Sequence, residues 1–103
     1  MERSSSIPGY VYVLVSPFSK HVKLGGTTIS PMKRIREINA VEPYKSQGPW
    51  TLHDFRQVSD WRTAERHLHD LFRSKLVLSI PGQKEFFSIS PREVSNQLNE
   101  LDP

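Results

Sequence analysis

Three observations predict a small α+β fold, with a mostly antiparallel sheet flanked by helices in the order β-β-α-β-α-β-α. Two β-rich runs, "YVYVLV" (10–15) and "HVKLG" (21–25), are separated only by "SPFSK" and read as a hairpin. Two later segments open on the same Ser-Pro helix start, and a third carries the strongest helical periodicity of the chain. At 103 residues, with an apolar share of 36%, the chain suffices for one hydrophobic core and leaves no room for a second domain.

The elements follow in order. "MERSSSI" is short and polar, and a flexible tail over residues 1–7 is expected ahead of a domain at 8–101. After the hairpin, "SPMKRIREIN" begins a helix with Ser30 as cap and Pro31 at the first helical position, and Met32, Ile35 and Ile38 share a face. "VEPYKSQGP" (41–49) is a loop punctuated by Pro and Gly. "WTLHDFRQV" (50–58) alternates Leu52 with polar neighbours and reads as a third strand. "SDWRTAERHLHDLFRSK" is helical, capped by Ser59 or Asp60, with Ala64, Leu68, Leu71 and Phe72 turned inward. A loop through Pro81-Gly82 leads to a short strand in "KEFFSI". "SPREVSNQLNEL" closes the chain as a helix with Val94, Leu98 and Leu101 on one side.

Composition narrows the function classes. No apolar run nears the roughly 18 residues of a membrane span, and the N-terminus lacks a signal-peptide pattern. With no cysteine there are no disulfides or thiolate metal sites, and a cytoplasmic protein is expected. Net charge is only +3, but its placement is uneven. Lys20, Lys23, Lys33, Arg34 and Arg36 fall in one stretch without an acid, while Glu85, Glu93, Glu100 and Asp102 gather late. Such a local field attracts phosphate-bearing partners, although a basic run is often no more than a solvated face.

The chain carries no P-loop, no dinucleotide-binding glycine fingerprint and no His-Glu-x-x-His pair. Gly25-Gly26 is most simply a turn. His67 and His69 lie two apart on a helix, about 200° around it, and cannot share a metal. Glu65 and His69, four apart, share a face at the border of the apolar stripe. A carboxylate there serves equally as an ion-pair partner or as a hard ligand for Mg²⁺. Tyr12 alone reads as strand packing, and Arg34 alone as a solvated charge.

Taken together these residues carry a resemblance. Tyr12 in "VYVL", Lys-Leu-Gly at 23–25, Arg34 in the next helix and a helical glutamate after a third strand resemble the GIY-YIG nuclease superfamily. "GYVY" corresponds to its first motif with Gly9 displaced by one residue, and "KLG" corresponds to its second. The likeness is strongest to a branch of phage, bacterial and fungal meiotic domains, through "GYVYVL", "VKLGGTTISPMKRIREIN", "AERHLHDLF" and "KEFF" in that order over roughly residues 8–100.

The resemblance implies a DNA endonuclease that hydrolyses phosphodiester bonds with one Mg²⁺ or Mn²⁺ held by Glu65. Tyr12 would take a proton from the attacking water, and an ordinary phenol, titrating near 10, is a poor base without a cation such as Lys23 beside it. Arg34 would hold a nonbridging phosphate oxygen. His69 would orient the water or the leaving group, and Glu85 would stand at the edge of the site. Lys20, Lys33 and Arg36 would contact other phosphates, which gives affinity without sequence information. Two departures stand out. Lys23 replaces the second motif's tyrosine, as is usual in the branch, and Gly26 replaces a lysine. With no attached reading domain in this sequence, little sequence specificity is expected, and a protein partner is one route to targeting. Two rival readings remain: a catalytically silent nucleic-acid-binding module of the same fold, and a protein-interaction domain.

Overall fold

The structure is a computed structural model that describes residues 6–42, 44–77 and 85–101. The expected loop through Pro81-Gly82 and most of the expected tail lie outside the described residues. Strands β1 (Gly9–Val15), β2 (Val22–Thr27), β3 (Thr51–Val58) and β4 (Phe86–Phe87) form one sheet in the order β3-β1-β2-β4, and every pairing is antiparallel. The helices are α1 (Pro31–Asn39), α2 (Tyr44–Gln47), α3 (Trp61–Leu71) and α4 (Pro91–Leu98). The predicted class and the opening hairpin are both present.

The alternation along β1 explains the layering, because successive side chains leave a strand on opposite faces. Val11 and Val13 join Leu24, Leu68, Phe72, Phe87, Val94 and Leu98 beneath α3 and α4. Tyr12 and Leu14 join Ile35, Ile38, Trp50 and Phe86 beneath α1. With both faces covered, β1 and β2 are buried almost throughout, whereas β3 at the edge alternates exposed and half-buried residues. A register shift between Val13 and Leu14 interrupts the β1–β3 ladder and leaves His53 unpaired.

Local chemistry sets the ends. Asp60 caps α3, with its carboxylate accepting from the N–H and hydroxyl of Thr63, and these bonds hold Asp60 below its usual titration range. Ser90 caps α4 through the Glu93 N–H. Ser30 precedes Pro31 at the start of α1 but makes no side-chain cap bond.

Several expectations are corrected. Met32 is 57% exposed, because it lies about 100° around α1 from Pro31, and the buried stripe runs through Pro31, Ile35 and Ile38. Leu71 is 47% exposed at the last residue of α3, about 60° off the line from Leu68. The expected loop at 41–49 contains α2, and the helix through 59–75 ends at Leu71 with a 3-10 turn (Arg73–Lys75) beyond it. Ile7, assigned to the flexible tail, accepts a hydrogen bond from the Trp61 N–H (3.1 Å).

Candidate active site

The site grows from the free edge of β2. Among the described residues β4 pairs with β2 only at Val22 and Lys23, and the backbone beyond has no strand neighbour on that side. Side chains of α3 and the start of β4 supply its partners. His69 Nε2 lies 2.8 Å from the Leu24 carbonyl, which makes it the donor, and the Leu24 N–H donates to the Glu85 carbonyl (2.8 Å). The Gly26 N–H favours the ionised form of the Glu65 carboxylate. Glu65 and His69 themselves stand 3.9 Å apart, both only partly exposed.

On the other face of the sheet lies a buried polar cluster. Lys23 is 0% exposed and Tyr12 1%. The Lys23 ammonium is paired with Glu85, donates toward the Tyr12 hydroxyl at 3.5 Å, and sits over the rings of Tyr12 and Tyr44 at 5.4 and 5.0 Å. Burial alone would lower the Lys23 pKa, but Tyr12 and Glu85 outweigh it and the group is held above its usual value. It is a permanent cation under the phenol. Burial raises the Tyr44 hydroxyl, so it stays protonated.

Room for this cluster depends on Gly25. A Cβ there would come within 2.6 Å of the Tyr12 Oη, so the phenol occupies the space a side chain would take. Gly26 does the same for Trp61, whose ring carbon Cε3 would be 2.5 Å from an added Cβ. The lysine that the resemblance leads one to expect at Gly26 is therefore displaced by the indole of Trp61, whose ring also carries the Arg62 guanidinium 5.3 Å away.

Arg34 flanks the buried stripe of α1 and is bonded to Glu37 at 2.9 Å, with both side chains substantially exposed. Burial pulls its pKa down, but Glu37 and Tyr12 more than compensate. Between Arg34 and Trp61 a groove of about 390 Å³ opens over Thr27 and Thr28.

Glu65 is the most informative electrostatically. Burial raises its pKa, the negative charge of Glu85 adds to this, and His69, Lys23 and the Gly26 N–H recover only part. A half-buried carboxylate near another carboxylate is a site where a cation would relieve repulsion. Among the described residues, no group of three or more His, Cys, Asp or Glu forms a set able to hold a metal. The Glu65 carboxylate, with Glu85 near it, is the candidate ligand here for a hard cation such as Mg²⁺, which takes few protein oxygens and keeps waters or substrate oxygens.

Of the residues singled out in the sequence, Tyr12, Lys23, Arg34, Glu65, His69 and Glu85 are linked by these contacts and charges across the free edge of β2. Lys20, in the hairpin turn, and Lys33 and Arg36, on the outer side of α1, are exposed and lie outside that cluster. Tyr44 was missed. It sits in what reads as a Pro/Gly loop, and no periodicity marks it. No helix among the described residues is long and apolar enough to cross a membrane. Comparison with curated proteins and with solved structures gives no match. A family match does cover residues 9–102, nearly the whole chain, and on it the protein belongs to the T5orf172 domain family, a phage-associated domain.

Proposed function

We propose that this protein is a GIY-YIG-type, divalent-metal-dependent DNA endonuclease with little sequence specificity. One observation carries the reading: a buried lysine beneath Tyr12 and a half-buried, pKa-raised glutamate on α3 interact across the edge of β2, with Arg34 alongside. Hydrophobic packing gives no reason for this arrangement, since each buried charge costs free energy unless compensated.

In this reading Arg34 leaves Glu37 for a nonbridging phosphate oxygen. An exposed ion pair contributes little, so a phosphate competes well for the guanidinium. Glu65 would hold Mg²⁺ or Mn²⁺, which when bound polarises the scissile phosphate and stabilises the departing 3′ oxygen. Lys23 donates toward the Tyr12 oxygen; Tyr12, after releasing its own phenolic proton to solvent, would take one from the attacking water, with the ammonium beside the charge. Glu85 holds Lys23 in place. His69 spends its Nε2–H on Leu24, which fastens α3 to the strand edge and so positions Glu65 one turn away.

A second reading, a silent nucleic-acid-binding module, is favoured by the near-complete burial of Tyr12 and by the engagement of His69 with backbone. Plasmid nicking separates the two. With Mg²⁺ or Mn²⁺ the wild-type protein is expected to convert supercoiled plasmid to open circles, while Glu65→Gln retains DNA binding and loses nicking by a factor of at least about a hundred. Equal nicking by Glu65→Gln, or nicking that survives EDTA, would remove the metal-dependent reading.

A further inference from the structure

Beside the cluster, on the same face of the sheet, is an aromatic pair that the proposed chemistry does not use. Tyr10 and Tyr12 leave β1 on one face, and Phe55 of β3 is the register partner of Tyr12. Tyr10 and Phe55 meet edge to face, with ring centroids 6.0 Å apart. Phe55 is 46% exposed and Tyr10 is half-buried, whereas Tyr12 next to them is covered. Isolated exposed aromatics are common, but this pair is contiguous with the candidate site.

The surroundings favour one kind of occupant. The strand's only acid, Asp54, pairs with Val13 and so leaves β3 on the opposite face. Gln57, on the same face as Phe55, is exposed and polar. Toward the cluster, the partly exposed Arg34 interacts with Tyr12, the register partner of Phe55. Aromatic rings on a sheet beside a cation suit a nucleotide strand, with the phosphate at the cation and the base over the ring. Residues directly opposite in an antiparallel pair stand about 5 Å apart. A phosphate beside Tyr12 therefore has its own base, or the next one, within reach of Phe55.

We infer that Tyr10 and Phe55 form a stacking subsite for an unpaired nucleobase next to the reacting phosphate, so that the substrate class is single-stranded or locally melted DNA. The inference rests on the proposed function only for its substrate, and is tested without cleavage. A base held in a duplex hides its face in the stack and cannot use this platform.

The test is fluorescence anisotropy in EDTA at constant salt, with oligothymidylate of about twelve nucleotides against a hairpin duplex of matched phosphate number. Phe55→Leu keeps an apolar side chain but removes the ring. It is expected to weaken oligothymidylate binding about tenfold while duplex binding changes less than about twofold. Phe55→Trp is expected to bind at least as tightly as wild type. Independently of any variant, wild-type protein irradiated with a 5-iododeoxyuridine oligonucleotide is expected to crosslink at Tyr10 or Phe55. Equal losses on both ligands, or crosslinks only elsewhere, would overturn the inference. So would a protein dimer that dissolves on Phe55→Leu, since the platform would then be a contact between copies. If stacking holds and nicking fails, the subsite belongs to a binding module. If nicking holds and stacking fails, only this inference falls.

Discussion

Lys23 concentrates the energetics of the site in one residue. A fully buried ammonium survives because Glu85 neutralises it and two tyrosine rings face it. The two partners are not equivalent. Glu85 keeps about a third of its side chain exposed, so losing Lys23 leaves a carboxylate that water can reach, whereas losing Glu85 strands a buried cation. Glu85→Gln is therefore expected to destabilise by about 3 kcal/mol, and Lys23→Met, which fills the same slot between aromatic rings, by less than about 1 kcal/mol. The double variant should resemble Lys23→Met alone, because the stranded charge is gone. Urea unfolding midpoints of the three variants check this order. A Lys23→Met protein less stable than Glu85→Gln would mean that the ammonium itself, not its neutralisation, supports the core. Both single variants should lose nicking, so stability and activity separate at this position.

At the scale of elements, strands and helices were legible wherever apolar spacing had one dominant period. Hence the hairpin and the Ser-Pro helix starts were readable, and the cap of α3 was narrowed to Ser59 or Asp60, of which the structure uses Asp60. Helix ends were not, because Leu71 fits the helical pattern while the end of the helix leaves it in solvent. The candidate site was legible as residue types, through Tyr12, Lys23, Arg34, Glu65, His69 and Glu85, but its interior was not. That Lys23 is wholly buried depends on Tyr44, and the Tyr44 carbonyl is itself anchored by the Trp50 indole N–H (2.8 Å), a contact made across a segment without pattern. Gly26 is the clearest case. From sequence it is a missing cation, and in the fold it is the floor beneath Trp61. Restoring a cation by Gly26→Lys is then expected to destabilise by about 1–3 kcal/mol through overpacking between β2 and α3. In a Trp61→Ala background the same Gly26→Lys change should cost much less, since the ring that the new Cβ meets is removed. Thermal melts of the single and double variants decide it. A Gly26→Lys protein as stable as wild type would show that Trp61 moves aside at little cost.

For the molecule as a whole, the proposed chemistry and the stability pull in opposite directions at Glu65. The folded state holds the Glu65 proton more tightly than the unfolded chain does, because burial and Glu85 penalise the ion. A raised carboxylate of this kind favours folding below its ordinary range near 4.3, and that contribution disappears as pH rises through the raised value. At pH 7 wild-type protein thus folds with a carboxylate it would be more stable without. Glu65→Gln is expected to raise the unfolding temperature at pH 7, where 1 kcal/mol is worth about 4–8 °C in a chain of this size, and to change it little at pH 4. If Glu65 were instead a structural partner for His69, the same substitution would lower the unfolding temperature at pH 7. A bound cation relieves the penalty in a second way. Mg²⁺ is expected to stabilise wild type at pH 7, to do so less at pH 4 where protons compete for the carboxylate, and to leave Glu65→Gln unmoved at both. Calorimetry of the two proteins at two pH values, with and without Mg²⁺, reads all of these differences. Stabilisation of the Gln variant by Mg²⁺ equal to that of wild type would place the ion elsewhere on the molecule, and Glu65 would lose its role as ligand.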